Sequence, residues 1–172
     1  MTGGSRCELT LDPYTTNTSL NTPQATNLRM LDASHNALPT LPPCVGALRK
    51  LAVLNLRANQ LTALPTTLAD ATSLVELHAG LNAIRSLPEE LSALQRLRVF
   101  DLGRNYLTAW PQGLCGLKLN ALDLNSNELR DLPAELGLMT SLRSLRLEGN
   151  PIRSIRQNHL LGGLYIKIHY RR

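Results

Sequence analysis

A histidine and two aspartates share one position of a repeated sequence, and they are the residues best suited to chemistry in this 172-residue chain. His78 is followed by Asp101 and Asp123 at equivalent places in the next two repeats. If these segments are neighbouring strands, an imidazole lies beside a carboxylate, a pair that general acid–base catalysis uses. No nucleophile accompanies the pair, because Cys44 and Cys115 fall in the other half of their repeats. The same position holds asparagine or arginine in other repeats, so the pattern favours a structural row, and we expect no enzyme activity.

The spacing of six asparagines defines the repeat. Successive members are 23, 23, 23, 22 and 23 residues apart, and each closes the phrase L-x-x-L-x-L-x-x-N-x-L with occasional substitutions. A fixed period of this length is typical of a solenoid, in which each turn buries its apolar side against the next turn. The asparagines that we expect to form a structural row are Asn36, Asn59, Asn82, Asn105, Asn127 and Asn150.

Each repeat carries the signals of a strand, a turn and a helical segment. The L-x-L alternation predicts a strand with one buried face, and equivalent strands would pair in parallel about 4.8 Å apart. An asparagine side chain offers one acceptor and two donors, so it can satisfy backbone groups where the chain leaves the strand. The Leu-Pro step then interrupts the hydrogen-bonded structure. Residues 89–96 and 134–140 are expected to form one or two helical turns after it.

The Leu-Pro-x-x-Leu sequences at residues 64–68, 87–91 and 132–136 and the repeat around them resemble the leucine-rich-repeat family over residues 28–156. They are similar to its intracellular 23-residue subclass, which contains Ras-suppressor-like, Scribble-like and plant intracellular Ras-group-related proteins. The resemblance implies a right-handed α/β solenoid with parallel strands on the concave face and short helical turns on the convex face. It also implies a non-catalytic signalling or scaffolding module, with partners such as small GTPases or signalling complexes.

The repeats divide the chain into three segments. Residues 28–156 contain the six repeats, and a solenoid needs its two end turns covered. We expect residues 1–27 to form an N-terminal cap or degenerate first turn, with Leu9–Leu11 as an edge strand. Residues 157–172 are similar to the closing helix of cytoplasmic family members, although Ile166, Ile168 and Tyr170 also alternate as a strand does. Helix and strand both stay open there, and the abrupt start is compatible with a fragment of a longer protein.

The cysteines and the apolar pattern bear on the compartment. Three cysteines, widely spaced and without a C-x-x-C pair, argue against a disulfide framework and a zinc site. Cys44 and Cys115 are expected to be packing residues, which favours a reducing compartment. Residues 1–11 lack the apolar segment of a signal peptide, and no apolar run reaches the ~20 residues that span a bilayer. The sequence therefore predicts a cytoplasmic protein without a transmembrane segment.

Positive charge is concentrated at one end of the chain. The net charge is +5, while residues from Arg143 onward carry seven Lys/Arg against the single acid Glu148. This basic tail could be a solvated cap, a docking segment for an acidic partner, or a contact for nucleic acid or an anionic membrane. A nucleic-acid-binding solenoid would more often carry its charge along the groove, so we do not expect nucleic acid as the partner.

The outward strand positions are the predicted binding surface. They mix apolar and charged side chains, as partner-binding patches do, and the concave side of a solenoid is its usual binding face. We expect a monomer that binds a protein there, with no cofactor and no metal. The alternatives are a structural spacer and anionic binding through the tail. The predicted site residues are Met30, Asp32, Val53, Asn55, Arg57, Glu76, His78, Val99, Asp101, Arg104, Asp123 and Arg146.

Overall fold

The structure, a computed structural model, describes strand residues 8–9 and 18–19 and the continuous segment 27–152. Its main feature is a six-stranded parallel sheet in which each strand of three residues pairs with the strands of the adjoining repeats. A separate two-stranded sheet precedes it. In chain order the strands are β1 (Glu8–Leu9), β2 (Thr18–Ser19), β3 (Met30–Asp32), β4 (Val53–Asn55), β5 (Glu76–His78), β6 (Val99–Asp101), β7 (Ala121–Asp123) and β8 (Ser144–Arg146).

The parallel strands keep one register from β3 to β8. Leu31 is opposite Leu54, which in turn is opposite Leu77, and the same relation continues through the last strand. The middle residue of every strand is buried and the residues on either side are more exposed. This is the two-residue period of a strand with one buried face. The parallel sheet predicted from the L-x-L phrase is therefore confirmed.

Short 3-10 helices return the chain from one strand to the next. Proline precedes each of them, and in that position its fixed φ and missing N–H do not interrupt any bond. The i to i+3 bonds are regular, as in Leu68 N to Pro65 O at 3.0 Å and Ala71 N to Leu68 O at 3.0 Å. The helices are Pro43–Ala47, Thr66–Asp70, Glu89–Ala93, Gln112–Gly116 and Ala134–Leu138.

The helical turns expected within residues 89–96 and 134–140 are confirmed. They are the 3-10 helices Glu89–Ala93 and Ala134–Leu138, each of fewer than two turns. Their shortness has a geometric reason, because a repeat of this length must turn back into the next strand within a few residues. A 3-10 helix rises more per residue than an α-helix and commonly serves as such a connector.

The asparagine side chains bond backbone groups of adjacent turns. Asn105 Nδ2 donates to Leu102 O in its own turn at 3.0 Å and to Ala79 O in the preceding turn at 3.0 Å. Its Oδ1 accepts the Ile84 N–H of the preceding turn at 3.0 Å. Only 4% of Asn105 is exposed, so these bonds are formed away from water. Equivalent bonds between adjacent turns are made by Asn59, Asn82, Asn127 and Asn150.

Leucine fills most of the interior, and one aromatic pair is inserted into it. Phe100 takes the central place of β6, where other strands have leucine, and is fully buried. Its ring meets Trp110 edge to face, with centroids 6.0 Å apart and planes at 65°, an arrangement that aromatic rings favour. The buried Trp110 Nε1 has no hydrogen-bond partner of normal geometry among the described residues.

The N-terminal expectation needs correction. Leu9–Leu11 was expected to be an edge strand of the solenoid, but Glu8–Leu9 pairs antiparallel with Thr18–Ser19 instead. Antiparallel strands can be joined by a short connection, whereas joining the parallel sheet requires a long crossover. The remainder of the expected cap at 1–27, and the expected cap at 157–172 with its choice between helix and strand, lie outside the described residues.

The cysteines also depart from expectation. Cys44 packs against the core, as predicted, but it is also disulfide-bonded, so the expectation that it serves only as a packing residue is wrong. Sequence spacing failed because distant cysteines can meet in the fold, and only Cα separation decides whether they can be bridged. Cys115 is free and half-buried. Since disulfides persist mainly in oxidising compartments, the cysteines no longer favour a reducing one.

Candidate protein-binding face

The single register places the outward strand residues in two straight rows. We call this surface the strand face. The first row contains Met30, Val53, Glu76, Val99, Ala121 and Ser144, and the second contains Asp32, Asn55, His78, Asp101, Asp123 and Arg146. Because every neighbour in a row is a directly paired residue, the side chains stand about 4.8 Å apart. Ten of the twelve predicted site residues belong to these rows, and Arg57 and Arg104 lie beyond the strand ends.

A shallow hollow of about 240 Å³ lies over the last four strands. Five predicted residues line it, together with the buried Phe100 and Leu122 and two small residues that were not predicted, Ala121 and Ser144. The sequence signal that could have found these two is their size, because a small residue in a row of larger ones leaves a depression. The predicted residues in the hollow are His78, Val99, Asp101, Asp123 and Arg146.

Asp101 is held from two directions. Its Oδ1 accepts the Gly103 N–H of its own turn at 3.0 Å. Its Oδ2 accepts Arg57 Nη1 at 2.8 Å, although Arg57 belongs to a turn two repeats earlier. The Asp101 side chain is 18% exposed and that of Arg57 is 42% exposed. The carboxylate is therefore fixed in position before any partner arrives.

Gly80 provides the space that this ion pair needs. A Cβ atom at Gly80 would lie 2.9 Å from Asp101 Oδ1 and 3.1 Å from Arg57 Nη1, which is shorter than normal contact. With no side chain in the intervening turn, Arg57 crosses directly to Asp101. In the sequence this glycine is only an unremarkable member of an outward row, so its role could not be predicted there.

Asp123 repeats the arrangement one turn further on. Its Oδ1 accepts the Asn125 N–H at 3.0 Å and also a short bond from Asn125 Nδ2. Its Oδ2 accepts Arg146 Nη1 at 3.3 Å. Asp101 and Asp123 are directly paired in the sheet, where like charges oppose each other. The two arginines, one from each side, offset this repulsion.

The acid–base pair considered for catalysis does not form. His78 Nε2 lies 3.2 Å from Glu76 Oε2 in its own strand, whereas Asp101 is bonded to Arg57. The imidazole is thus paired with Glu76 and not with the aspartate beside it in the sheet. No cluster of three metal-ligating side chains occurs in the described part of the chain.

The aspartates of the second row have a structural role. Asp32, Asp101 and Asp123, like Asn55, each accept the backbone N–H two residues ahead. Bonds of this kind satisfy the backbone where a strand gives way to a turn. At Asp32, hydrogen bonding from the Ser34 side chain and backbone lowers the pKa of the carboxyl group.

Apolar side chains flank the charged centre of the strand face. Met30 is 63% exposed, while Val53, Val99 and Ala121 are half-buried. Exposed apolar groups beside fixed charges are characteristic of protein-binding surfaces. The apolar side chains offer contact area to a partner, and the fixed charges orient it.

Arg104 lies in a different place from the other predicted residues. It occupies a left-handed turn with φ of 58° and lines a second hollow with Leu81, Tyr106 and Ser126. Equivalent left-handed residues occur in the other turns, directly before the asparagine. Side chains at this place leave the strand face, so the row that included Arg104 is not part of the same surface.

Comparison with known proteins agrees with this geometry. Residues 95–152 match the family model described as leucine rich repeat. The protein is also similar to a leucine-rich-repeat protein of Leptospira interrogans, with 28% identity, a TM-score of 0.61, and coverage of 77% of this chain and 40% of that chain. The fold is a leucine-rich-repeat solenoid. An internalin from Listeria monocytogenes resembles it with 27% identity and a TM-score of 0.64, over 77% of this chain and 37% of that one.

A plant relative of this leucine-rich-repeat solenoid was solved with a bound partner. It is the ectodomain of the membrane receptor kinase GASSHO1/SCHENGEN3 from Arabidopsis thaliana, in complex with CASPARIAN STRIP INTEGRITY FACTOR 2. Identity is 35% and the TM-score is 0.64, over 68% of this chain and 15% of that one. The present chain thus spans less than half the length of each of these structures.

The similar structures bear on the predicted compartment. They include the ectodomain of a membrane receptor, so the fold is not confined to the cytoplasm and does not decide the compartment. Within residues 27–152, no helix has the length and apolar character that a bilayer span requires.

Proposed function

We propose that this leucine-rich-repeat solenoid is a non-catalytic module that binds a protein partner on its strand face. The observation that carries the proposal is the shared register of β3 to β8, which turns separate side chains into one continuous surface. The hollow over β5 to β8 contains two carboxylates already bonded to arginines and to the backbone.

Preorganisation explains how such a surface can bind well. Ordering a long side chain on binding costs about 0.5–1.5 kcal/mol, and Asp101 and Arg57 are ordered beforehand by their mutual bond. The backbone is held by the asparagine bonds between turns. Little conformational freedom remains to be lost when a partner docks.

The similar structures support a polypeptide partner. The plant receptor ectodomain was solved in complex with CASPARIAN STRIP INTEGRITY FACTOR 2. Signalling or scaffolding by a monomer is the finer role we infer. The Leu-Pro-x-x-Leu signature supports placing the chain in the 23-residue subclass. A small GTPase as partner rests on that resemblance alone. The disulfide at Cys44 argues against such a cytoplasmic partner and favours one met in an oxidising compartment.

A structural spacer without a specific ligand is the main rival. The test is affinity capture from the native cell, run in parallel with the intact protein and with the double variant Arg57→Ala/Asp101→Ala. Purified proteins from the first capture are then titrated against both forms. Our proposal expects at least one protein that binds the intact chain and is lost with the double variant. Identical binding by both forms would favour the spacer.

A further inference from the structure

One flank of the solenoid is strongly basic, and it is separate from the strand face. The flank consists of the segments that lead into each strand, and we call it the incoming flank. Because all six strands run parallel, these segments lie together at one end of the sheet. They are residues 27–29, 48–52, 71–75, 94–98, 117–120 and 139–143.

Charge is segregated onto this flank. It contains seven Lys/Arg and no Asp or Glu, whereas the rest of 27–152 contains five Lys/Arg and eleven Asp/Glu. The near-neutral average of the repeats therefore hides a charge of +7 on one side and −6 elsewhere. The cations are Arg29, Arg49, Lys50, Arg96, Arg98, Lys118 and Arg143.

These cations are available to a partner. Six of the seven are exposed, and Arg98 is half-buried. The ion pairs of the described residues involve Arg57, His78 and Arg146, none of which lies on this flank. Lys50 bonds the neutral Asn27 at 2.6 Å, and Arg98 bonds backbone carbonyls.

Backbone hydrogen bonds join the flank segments of successive turns into one row. Ala52 N donates to Arg29 O, and equivalent bonds continue through Val75, Arg98, Asn120 and Arg143 at 2.7–2.8 Å. At about 4.8 Å per turn, the five steps from Arg29 to Arg143 span roughly 24 Å. This is the length of an extended chain segment, longer than a single small anion can occupy.

We propose that the incoming flank binds a linear anionic polysaccharide. Every exposed residue on it is a cation or a neutral hydrogen-bonding residue such as Thr72, Gln95, Asn120 or Thr140. Cations attract sulfate or carboxylate groups, and the neutral side chains between them can bond sugar hydroxyl groups. Clusters of Lys and Arg bind sulfated polysaccharides as well as nucleic acids.

The composition of the flank favours the polysaccharide over other polyanions. Single-stranded nucleic acids are held by aromatic side chains on which bases stack, and the flank has no aromatic residue. Peripheral membrane segments bury apolar side chains in the interface, and the flank exposes none. The disulfide at Cys44 agrees with an oxidising compartment, where nucleic acids are not the usual polyanion.

The test measures binding of the full chain to a short dextran sulfate, with unsulfated dextran of the same length as the ligand control. The triple variant Arg49→Gln/Arg96→Gln/Lys118→Gln removes three cations from the flank. The triple variant Arg85→Gln/Arg104→Gln/Arg130→Gln removes three cations from the segments that follow the strands, at the opposite end of the sheet, and is the matched control. All six side chains are exposed, and both variants keep the basic tail, so its contribution cancels.

The expected result is binding of dextran sulfate and not of dextran. The flank triple should weaken this binding roughly 100- to 200-fold, from about 1 kcal/mol for each of the three cations. The control triple should change the affinity less than about threefold, because its cations lie away from the ligand. A third variant, Thr72→Arg, adds a cation to the one turn that lacks it and should tighten binding, which a folding defect could not do. Binding at the flank does not involve the strand face. This gain in affinity therefore tests the flank independently of any protein binding on the strand face.

Three results would overturn the proposal. Equal weakening by both triples would show general attraction to net charge. Tighter binding of a single-stranded oligonucleotide than of dextran sulfate would assign the flank to nucleic acid. Preferential binding of phosphatidylserine vesicles over vesicles of neutral lipid, with no dextran sulfate binding, would assign it to a membrane surface.

Discussion

Arg57 and Asp101 form an ion pair of 2.8 Å across two turns of the solenoid, and Gly80 in the turn between them leaves the path open. The pair joins the second repeat to the fourth without using the third. It therefore links the strand face in a way that the backbone ladder alone, which connects only adjacent turns, does not. Its strength and its dependence on Gly80 can be measured.

The Arg57–Asp101 pair should show a modest coupling energy that disappears when Gly80 is substituted. A double-mutant cycle with Arg57→Ala and Asp101→Ala, followed by chemical denaturation, should give about 0.2–1 kcal/mol, because both side chains are partly exposed. In a Gly80→Ala background the new methyl group displaces the pair, and the coupling should fall to near zero. An unchanged coupling energy in that background would show that Gly80 is not needed for the crossing.

Asn105 should contribute more to stability than Asn36. Replacing Asn105 by alanine leaves the Ile84 N–H and two carbonyls without their side-chain partner in a buried place. The free energy of unfolding should fall by about 2–4 kcal/mol. Among the described residues Asn36 bonds only two carbonyls of its own turn, so Asn36→Ala should cost less. Equal losses at the two positions would contradict the bonding between turns.

Gly46 should tolerate no side chain, although its backbone is not in a left-handed conformation. A Cβ atom there would lie 2.0 Å from the Thr67 carbonyl oxygen of the next turn. The backbone of the neighbouring helix would have to move, so Gly46→Ala should lower the free energy of unfolding by more than about 2 kcal/mol. Gly116 is the control, because a methyl group added there would have no neighbouring atom within 4 Å, and Gly116→Ala should be close to neutral. Equal losses of stability at the two glycines would contradict the close approach at Gly46.

Cys115 should react slowly with alkylating reagents in the folded protein. Burial raises the pKa of its thiol to about 11, with the Trp110 side chain acting in the opposite direction, and the thiolate is the reactive form. The pKa of this thiol in the folded protein lies above the ordinary value of 9.0. The contribution of the thiol to the free energy of unfolding is therefore fully present below pH 9 and is lost as the pH rises towards 11. Iodoacetamide labelling at about pH 8, where an exposed thiol is partly ionised, compares native and denatured protein. Equal labelling rates would contradict the burial of this thiol.

The backbone pattern of this protein could be derived from its sequence, while several side-chain partners could not. The leucine positions and the six asparagines determine where strands begin and how they pair, because only one register buries every central residue. His78 was placed beside Asp101 correctly, yet its partner is Glu76, since two acidic side chains compete for the same ring. Arg57 was assigned to an outward row, but nothing in that row indicates a reach of two turns.

Other differences between the sequence-based predictions and the structure have a similar origin. Arg104 leaves the strand face because a left-handed turn redirects its side chain, and φ cannot be read from a non-glycine residue in the sequence. The disulfide at Cys44 depends on separation in space, which spacing along the chain does not give. The basic incoming flank was hidden because its cations come from separate segments, none of which has more than two of them.

Docking of a protein partner on the strand face is tested most directly by one titration. A partner purified after capture is titrated against the intact chain, Ala121→Arg and Ala134→Arg. Ala121 lies in the hollow, whereas Ala134 is exposed at the start of a 3-10 helix, so the same substitution is made on two surfaces. We predict that Ala121→Arg weakens binding on the order of 100-fold, as for loss of a binding hot spot, and that Ala134→Arg leaves it unchanged. Weakening by Ala134→Arg alone, or by neither variant, would contradict the account.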